Sequence, residues 1–268
     1  MRQYRRVMLG ATCRAAGELL RGSGQDLISE RSASIGGEYF DSYRKCSSWG
    51  RTPVTQAGKD FYREMYSRGM MSGCGDSYGL APILYGRLRG LEDSFMLTTE
   101  LAQIRKTDRG FELDVYNQSG HDTLRCEELV DNTLRCVSDP KWGLGNIVSK
   151  RLNAAIFAEN AEAALKSSID GAELRPGRNS KEIFLSCPVE ASTGWTAARE
   201  QVLSIWLKRD GVLKDARIEA IAKEFDFSFK KDFHRFDDGR IFLNCAKFAN
   251  PIEAIDAGLN LNGTEARH

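Results

Sequence analysis

A mixed α/β fold with a parallel sheet at its centre is what this sequence predicts, on three observations. First, the apolar run "RVML" leads through the helical composition of "ATCRAAGELLRG" into a second short apolar run, "DLISE", all within residues 6–30. A strand–helix–strand crossover of this kind joins parallel neighbours. Second, "GFELDVYN" and "DTLRCEELVDNT", joined by Gln-Ser-Gly-His, read as an antiparallel hairpin leaving that sheet and returning to it. Third, residues 140–235 carry strand and helix patterns of their own, a β/α insertion.

The elements follow in order. The first helix ends at Gly22 and Gly24, and the second strand is followed by a loop, "RSASIGGEYF", with paired glycines. Residues 41–79 offer one helical candidate, "AGKDFYREMYSRG". A helix over "APILYGRLRGL" and a strand over "FMLTTELAQIRK" precede the hairpin, in which Phe111, Leu113 and Val115 alternate with Glu112, Asp114 and Tyr116. In the insertion, "LNAAIFAE" and "EIFLSCPVE" read as strands. "WTAAREQVLSIWLKRDG" reads as an amphipathic helix with Trp195, Ala198, Val202 and Ile205 on one face. "DARIEAIAKEFD" reads as a second, shorter helix, and the chain closes with a strand "RIFLN", a loop, and a helix ending near Gly258. The expected domains are therefore 1–139 with 236–268, and an insertion at 140–235.

Composition narrows the function classes. A net charge of +1 provides no broad basic field for nucleic acid or an acidic membrane surface. Arg2, Arg5 and Arg6 read as a solvated strand flank. No apolar run approaches the roughly 20 residues that span a bilayer, and Arg14 and Glu18 interrupt any signal-peptide core, so the cytoplasm is the expected location. The seven cysteines, Cys13, Cys46, Cys74, Cys126, Cys136, Cys187 and Cys245, show no C-x-x-C spacing, which suits reduced thiols and no metal site.

The first turn is the candidate site. A dinucleotide-binding turn uses three glycines, for the tight turn, for close approach of a diphosphate, and for helix–strand packing. Here Gly10 fills the first position, Thr12 the second and Ala15 the third. Thr12 adds a β-carbon where the phosphate should approach, although its hydroxyl offers a hydrogen bond. Arg14, near the helix start, either pairs with a diphosphate or crowds it. Twenty residues beyond Gly10 comes Glu30, an acid placed to accept from ribose hydroxyls.

With these residues the chain resembles the glutathione-reductase-like, two-dinucleotide-binding-domain flavoproteins. It is most similar to FAD-dependent oxidoreductases whose first turn reads Gly-Ala-Thr-Pro-Ala-Gly. Three separated segments carry the resemblance: "VMLGATCRAAGELL…DLISERSASIGGEY", the hairpin region ending in "ELVDNT", and "GRIFLNCAKFANPIEAIDAG". The resemblance implies an FAD/NAD(P)-binding Rossmann-like three-layer fold with a β/α insertion, an FAD cofactor and a small-molecule substrate. It also implies roles for residues. The diphosphate would lie over Gly10, Ala11, Thr12, Cys13, Arg14 and Ala15. The ribose would lie on Glu30 beside Arg31, and the adenine against the backbone at Leu101. The isoalloxazine would lie towards Gly36-Gly37 and the loop that opens at Asn244 and Cys245.

Chemistry beyond the cofactor is sparse. His234, in "KKDFHRFDD", is a candidate acid/base with an ordinary pKa near neutrality, against a plain surface histidine. Cys46, flanked by Arg44 and Lys45, is a candidate reactive thiol, against a simple loop thiol. His121 falls in the hairpin turn, and Trp195 with Trp206 reads as core. Two function classes stay open. One is an FAD-dependent oxidoreductase moving a hydride from a small organic molecule to flavin. The other is a flavoprotein-like subunit without cofactor, acting as a binding or assembly partner. Its grounds are the bulky Cys13-Arg14-Ala15 turn and a final loop that lacks Gly-Asp. An NAD(P)-binding protein is the third reading, and assembly as a homo- or hetero-oligomer is open.

Overall fold

The computed structural model describes residues 2–22, 24–70 and 77–260; Cys74 lies outside the described residues. Its strands are β1 Arg2–Leu9, β2 Asp26–Ser29, β3 Phe95–Met96, β4 Glu100–Thr107, β5 Gly110–Asn117, β6 Gly120–Asp131, β7 Ile147–Phe157, β8 Glu173–Pro176, β9 Glu182–Pro188, β10 Arg217–Ile221, β11 Asp226–Phe229, β12 Phe233–Arg235 and β13 Ile241–Leu243. Its helices are α1 Cys13–Leu20, α2 Gly37–Phe40, α3 Gln56–Ser67, α4 Ser77–Leu88, α5 Pro140–Asn146, α6 Ala161–Leu165, α7 Trp195–Leu207 and α8 Pro251–Leu259.

The first sheet runs β12-β13-β6-β1-β2-β3, with β1 parallel to both β2 and β6. Alternation along β1 sends Met8 into one core and Val7 and Leu9 into another, as the two-residue period of a strand requires. The Met8 side is covered by α1, α3, α4 and α8. The Val7 side is covered by β4, β5 and the first half of β6, which form the expected antiparallel meander. Helices, parallel sheet and meander are the three layers.

α1 and α8 cross so closely that a β-carbon on Gly17 would strike the Ile255 carbonyl, and one on Gly258 the Arg14 carbonyl. The two helices therefore need glycine at their crossing. Beneath it runs a buried ion network. Arg6 reaches Glu18 at 2.9 Å and Asp26 at 2.7 Å, and Arg14 reaches Glu18 at 3.1 Å. Arg6 is thus no solvated strand flank: it is only 5% exposed, because Glu18 and Asp26 converge on it from α1 and β2.

The second sheet runs β10-β7-β9-β8, with β11 also on β7, and α7 packs Ala198, Val202 and Ile205 against it. This sheet uses residues 147–229, and the chain is back in the first sheet at β12. Two sequence expectations fail locally. "DARIEAIAKEFD" is no helix but contributes β10 and the start of β11, both bonded to β7. Its Ala, Glu and Lys favour helix, but the open edges of a long strand override that weak propensity. The run "FMLTTELAQIRK" is two strands. Thr98 takes φ 51°, and Thr99 N–H bonds to the Glu30 carbonyl at 2.8 Å. The chain therefore turns from the parallel sheet into the meander at that point.

Candidate dinucleotide site

The turn after β1 is built as the sequence suggests. Gly10 has φ +94°, and a β-carbon there would lie 3.1 Å from the Thr133 amide, so glycine is required both for conformation and for space. Thr12 caps α1, its hydroxyl accepting the Ala15 N–H at 3.1 Å. That hydroxyl therefore serves the helix. Behind Gly10, the Asp131 carboxylate gathers the Thr133 N–H, the Thr133 hydroxyl and the Ser138 N–H at 2.8, 2.6 and 2.7 Å, fixing the turn after β6. Burial pushes its pKa up even so.

Glu30 stands at the carboxyl end of the parallel strands. Its Oε2 accepts the Ala11 N–H at 2.9 Å and its Oε1 accepts the Ser32 N–H at 2.7 Å. The carboxylate thus joins the first turn to the loop after β2, and it lines a cleft of about 640 Å³. Gly10, Ala11, Thr12, Arg31, Gly37 and Leu101 line the same cleft, so seven of the sequence-predicted residues share one cavity. Its size is that of small-molecule and cofactor sites generally. Arg31 pairs with Glu100 at 2.7 Å on the rim.

Two side chains of the cleft were not expected there: Glu38 had no sequence signal, and Trp195 read as core rather than as a substrate-stacking platform. Glu38, directly after the paired glycines, turns back so that its Oε1 accepts the Cys13 N–H at 2.6 Å in the first turn of α1. It is 2% exposed, its Oε2 has no hydrogen-bond partner, and burial raises its pKa to about 7. Trp195 leaves the face expected of it: it lines the cleft, 39% exposed, and donates to the Ala222 carbonyl at 3.0 Å. That bond holds the segment between β10 and β11 at the cleft. There Lys223 faces Asp41 at 3.8 Å and Glu224 faces Arg135 at 3.7 Å. No spacing in the sequence could have joined residues so far apart.

Other predicted residues fall elsewhere. Cys13 and Ala15 are buried in the core beneath the turn. Arg14 pairs with Glu18 and lines a separate cavity of about 260 Å³ beside α8. Gly36, at φ +81°, lies against Phe40 and the Cys13 thiol. Asn244 caps the turn that begins at Cys245, accepting the Ala246 N–H at 2.9 Å, and Cys245 is buried with its pKa raised by desolvation. The Cys46 thiol is half-buried, 3.7 Å from the Arg44 carbonyl. His234 stacks on Trp142 at 4.6 Å, in a cluster with Phe236, and burial lowers its pKa. Neither Cys46 nor His234 lines the cleft. Among the described residues, no group of His, Cys, Asp and Glu could hold a metal ion, and no helix is long and apolar enough to cross a membrane.

This arrangement has many structural counterparts. The chain superposes on p-nitrophenol 4-monooxygenase from Pseudomonas putida with a TM-score of 0.58 at 11% identity, covering 97% of this chain and 77% of that one. Glycine oxidase from Geobacillus kaustophilus gives 0.55 at 11% identity, covering 98% and 94%. Aklavinone-11 hydroxylase, solved with FAD and aklavinone, gives 0.54 at 13% identity, covering 97% and 62%. The chain shares its mixed α/β fold with these three proteins. No protein-family profile matches the chain, and no curated protein matches it in sequence. The chain spans about three-fifths of the length of aklavinone-11 hydroxylase and of the anhydrotetracycline hydroxylase OxyS from Streptomyces rimosus, 62% and 60%.

Proposed function

We propose that this chain binds FAD in the Glu30 cleft and serves as an oxidoreductase for a small organic molecule. The observation that carries this reading is Glu30 itself. A carboxylate held by two backbone amides, beside a left-handed Gly10 at the crest of a parallel sheet, is a ribose acceptor already in place. The adenosine half fits the residues as they stand: Glu30 and Arg31 for the ribose, the Leu101 backbone for the base. The phosphate half falls on the amino end of α1, where the first-turn N–H groups and the helix dipole favour an anion; Glu38 now engages one of those amides.

Bound there, the flavin would supply hydride acceptance, chemistry the protein side chains lack. The chain's own contribution is to orient the cofactor along the crest. Trp195 from α7, with Lys223 and Glu224 from the segment between β10 and β11, lines the same cleft, and a small-molecule substrate would meet the cofactor beside them. Superposition with both hydroxylases and an oxidase supports flavin chemistry in general and favours neither a hydroxylation nor an oxidation.

The test is the purified protein's visible spectrum together with Glu30→Ala. A yellow protein absorbing in the flavin region, whose Glu30→Ala variant releases FAD at least tenfold more readily while keeping its circular dichroism, supports the reading. A folded, colourless protein that refuses added FAD would point instead to the cofactor-free binding partner.

A further inference from the structure

The amino end of α1 is not an empty anion seat. The Glu38 carboxyl reaches it from the short helix α2, taking the Cys13 N–H at 2.6 Å on Oε1. Its other oxygen, Oε2, is buried without a hydrogen-bond partner, although Glu38 borders the cleft. An unpartnered buried oxygen is costly when it carries charge. On this seat it stands where an incoming diphosphate would bring negative charge of its own.

We propose that Glu38 is a proton-dependent plug of the phosphate seat: ionised, it holds the Cys13 amide and repels a diphosphate; protonated, it admits one and donates the Oε2 hydrogen to a phosphate oxygen. The inference rests on the dinucleotide reading above. The Oε2 proton would satisfy the oxygen that has no partner, so one group serves as competitor in one state and ligand in the other.

The surroundings allow Glu38 to take both states near neutrality. Its carboxyl interacts with the Cys13 thiol from α1, the Tyr39 phenol from its own helix, the Arg44 guanidinium from the following loop, and the Cys245 thiol. Arg44 is the cation of this set, and it is occupied elsewhere. It sits 3.1 Å from Asp226 and also donates to the Phe227 and Ala246 carbonyls. Desolvation therefore outweighs its attraction, and Glu38 titrates at about 7. The Cys13 and Cys245 thiols and the phenol are themselves pushed up by burial, away from the range in which the carboxyl changes charge.

The experiment measures FAD affinity of the full chain by flavin fluorescence, and adenosine affinity by calorimetry, from pH 5.5 to 8.5. Wild type is compared with Glu38→Gln, and folding is checked by circular dichroism. Glu38→Ala is carried in parallel in case the amide alters the loop. FAD binding by wild type should weaken by about tenfold per pH unit above 7, as follows when only the protonated form binds. Either variant should bind FAD with little pH dependence and at least tenfold more tightly than wild type at pH 8.5. Adenosine, lacking phosphate, should bind all three alike at every pH.

FAD affinity that is flat with pH in wild type, or equally pH-dependent in both variants, overturns the plug while the dinucleotide reading stands. Adenosine binding that follows the same pH course as FAD also overturns it, because the titrating group then acts away from the phosphates. Absence of both FAD and adenosine binding in every protein at every pH removes the dinucleotide reading, and the plug with it.

Discussion

Gly10 and Glu30 do the local work of the cleft, and each does it through the backbone. Gly10 combines a left-handed φ with close contact to the turn after β6. Gly10→Ala should therefore cost about 1–3 kcal/mol in chemical denaturation, and FAD retention should fall with it. Gly22 is also left-handed but has open space around it. Gly22→Ala is therefore the strain-only control, and any excess at Gly10 measures the contact. Glu30, by contrast, is held by amides from two loops, which fixes its direction before any ligand arrives. Thr12 stands where the second glycine would be, and its hydroxyl reads from the sequence as a hydrogen bond to a phosphate. The structure makes it a helix cap, so its hydroxyl compensates the helix rather than a missing phosphate contact.

Among the elements, α1 and α8 decide how firmly the crest is built. Their crossing has room for hydrogen atoms at Gly17 and Gly258 and for nothing larger. Gly258→Ala should destabilise the protein by about 1–3 kcal/mol through overpacking, read as a lower urea midpoint. Loss of FAD binding should accompany it, because α1 carries the turn. Most regular elements were legible in the sequence: β1, α1, β2, the β5–β6 hairpin, β7, β9, α7 and α8 were read as such, although Trp195 leaves the apolar face assigned to it in α7. The failures were short. β10 reads as helix from its Ala, Glu and Lys content, and only the hydrogen-bonding edge of β7 makes it a strand. The bend at Thr98, which separates β3 from β4, is set by a bond to the Glu30 backbone that no local pattern announces.

For the whole molecule, the balance of buried charge sets the response to pH. Glu38 rises from the ordinary 4.5 to about 7 through burial. The folded state therefore holds its proton more tightly than the unfolded chain. The contribution is complete below about pH 4.5 and is lost as pH rises through about 7, on the order of 3 kcal/mol in all. Wild type should thus lose stability relative to Glu38→Gln across that window, and the difference should be constant above it. Denaturation midpoints of the two proteins at pH 5, 6, 7 and 8 check the sign directly. Half-buried carboxylates such as Glu112 and Asp114, held low by Arg105, act at lower pH and are common to both proteins.

The sequence by itself determined the strand–helix–strand start of the parallel sheet and the first turn with its acid, because each is written within a few tens of residues by apolar period, turn chemistry and spacing. Only the tertiary structure decided what occupies the amino end of α1, what else lines the cleft, and that His234 and Cys46 stand apart from it. Glu38, Trp195, Glu224 and Arg135 meet through the packing of two sheets. Contacts between segments so distant along the chain leave no local pattern, since they are fixed by burial and closure of the whole fold rather than by their neighbours in sequence.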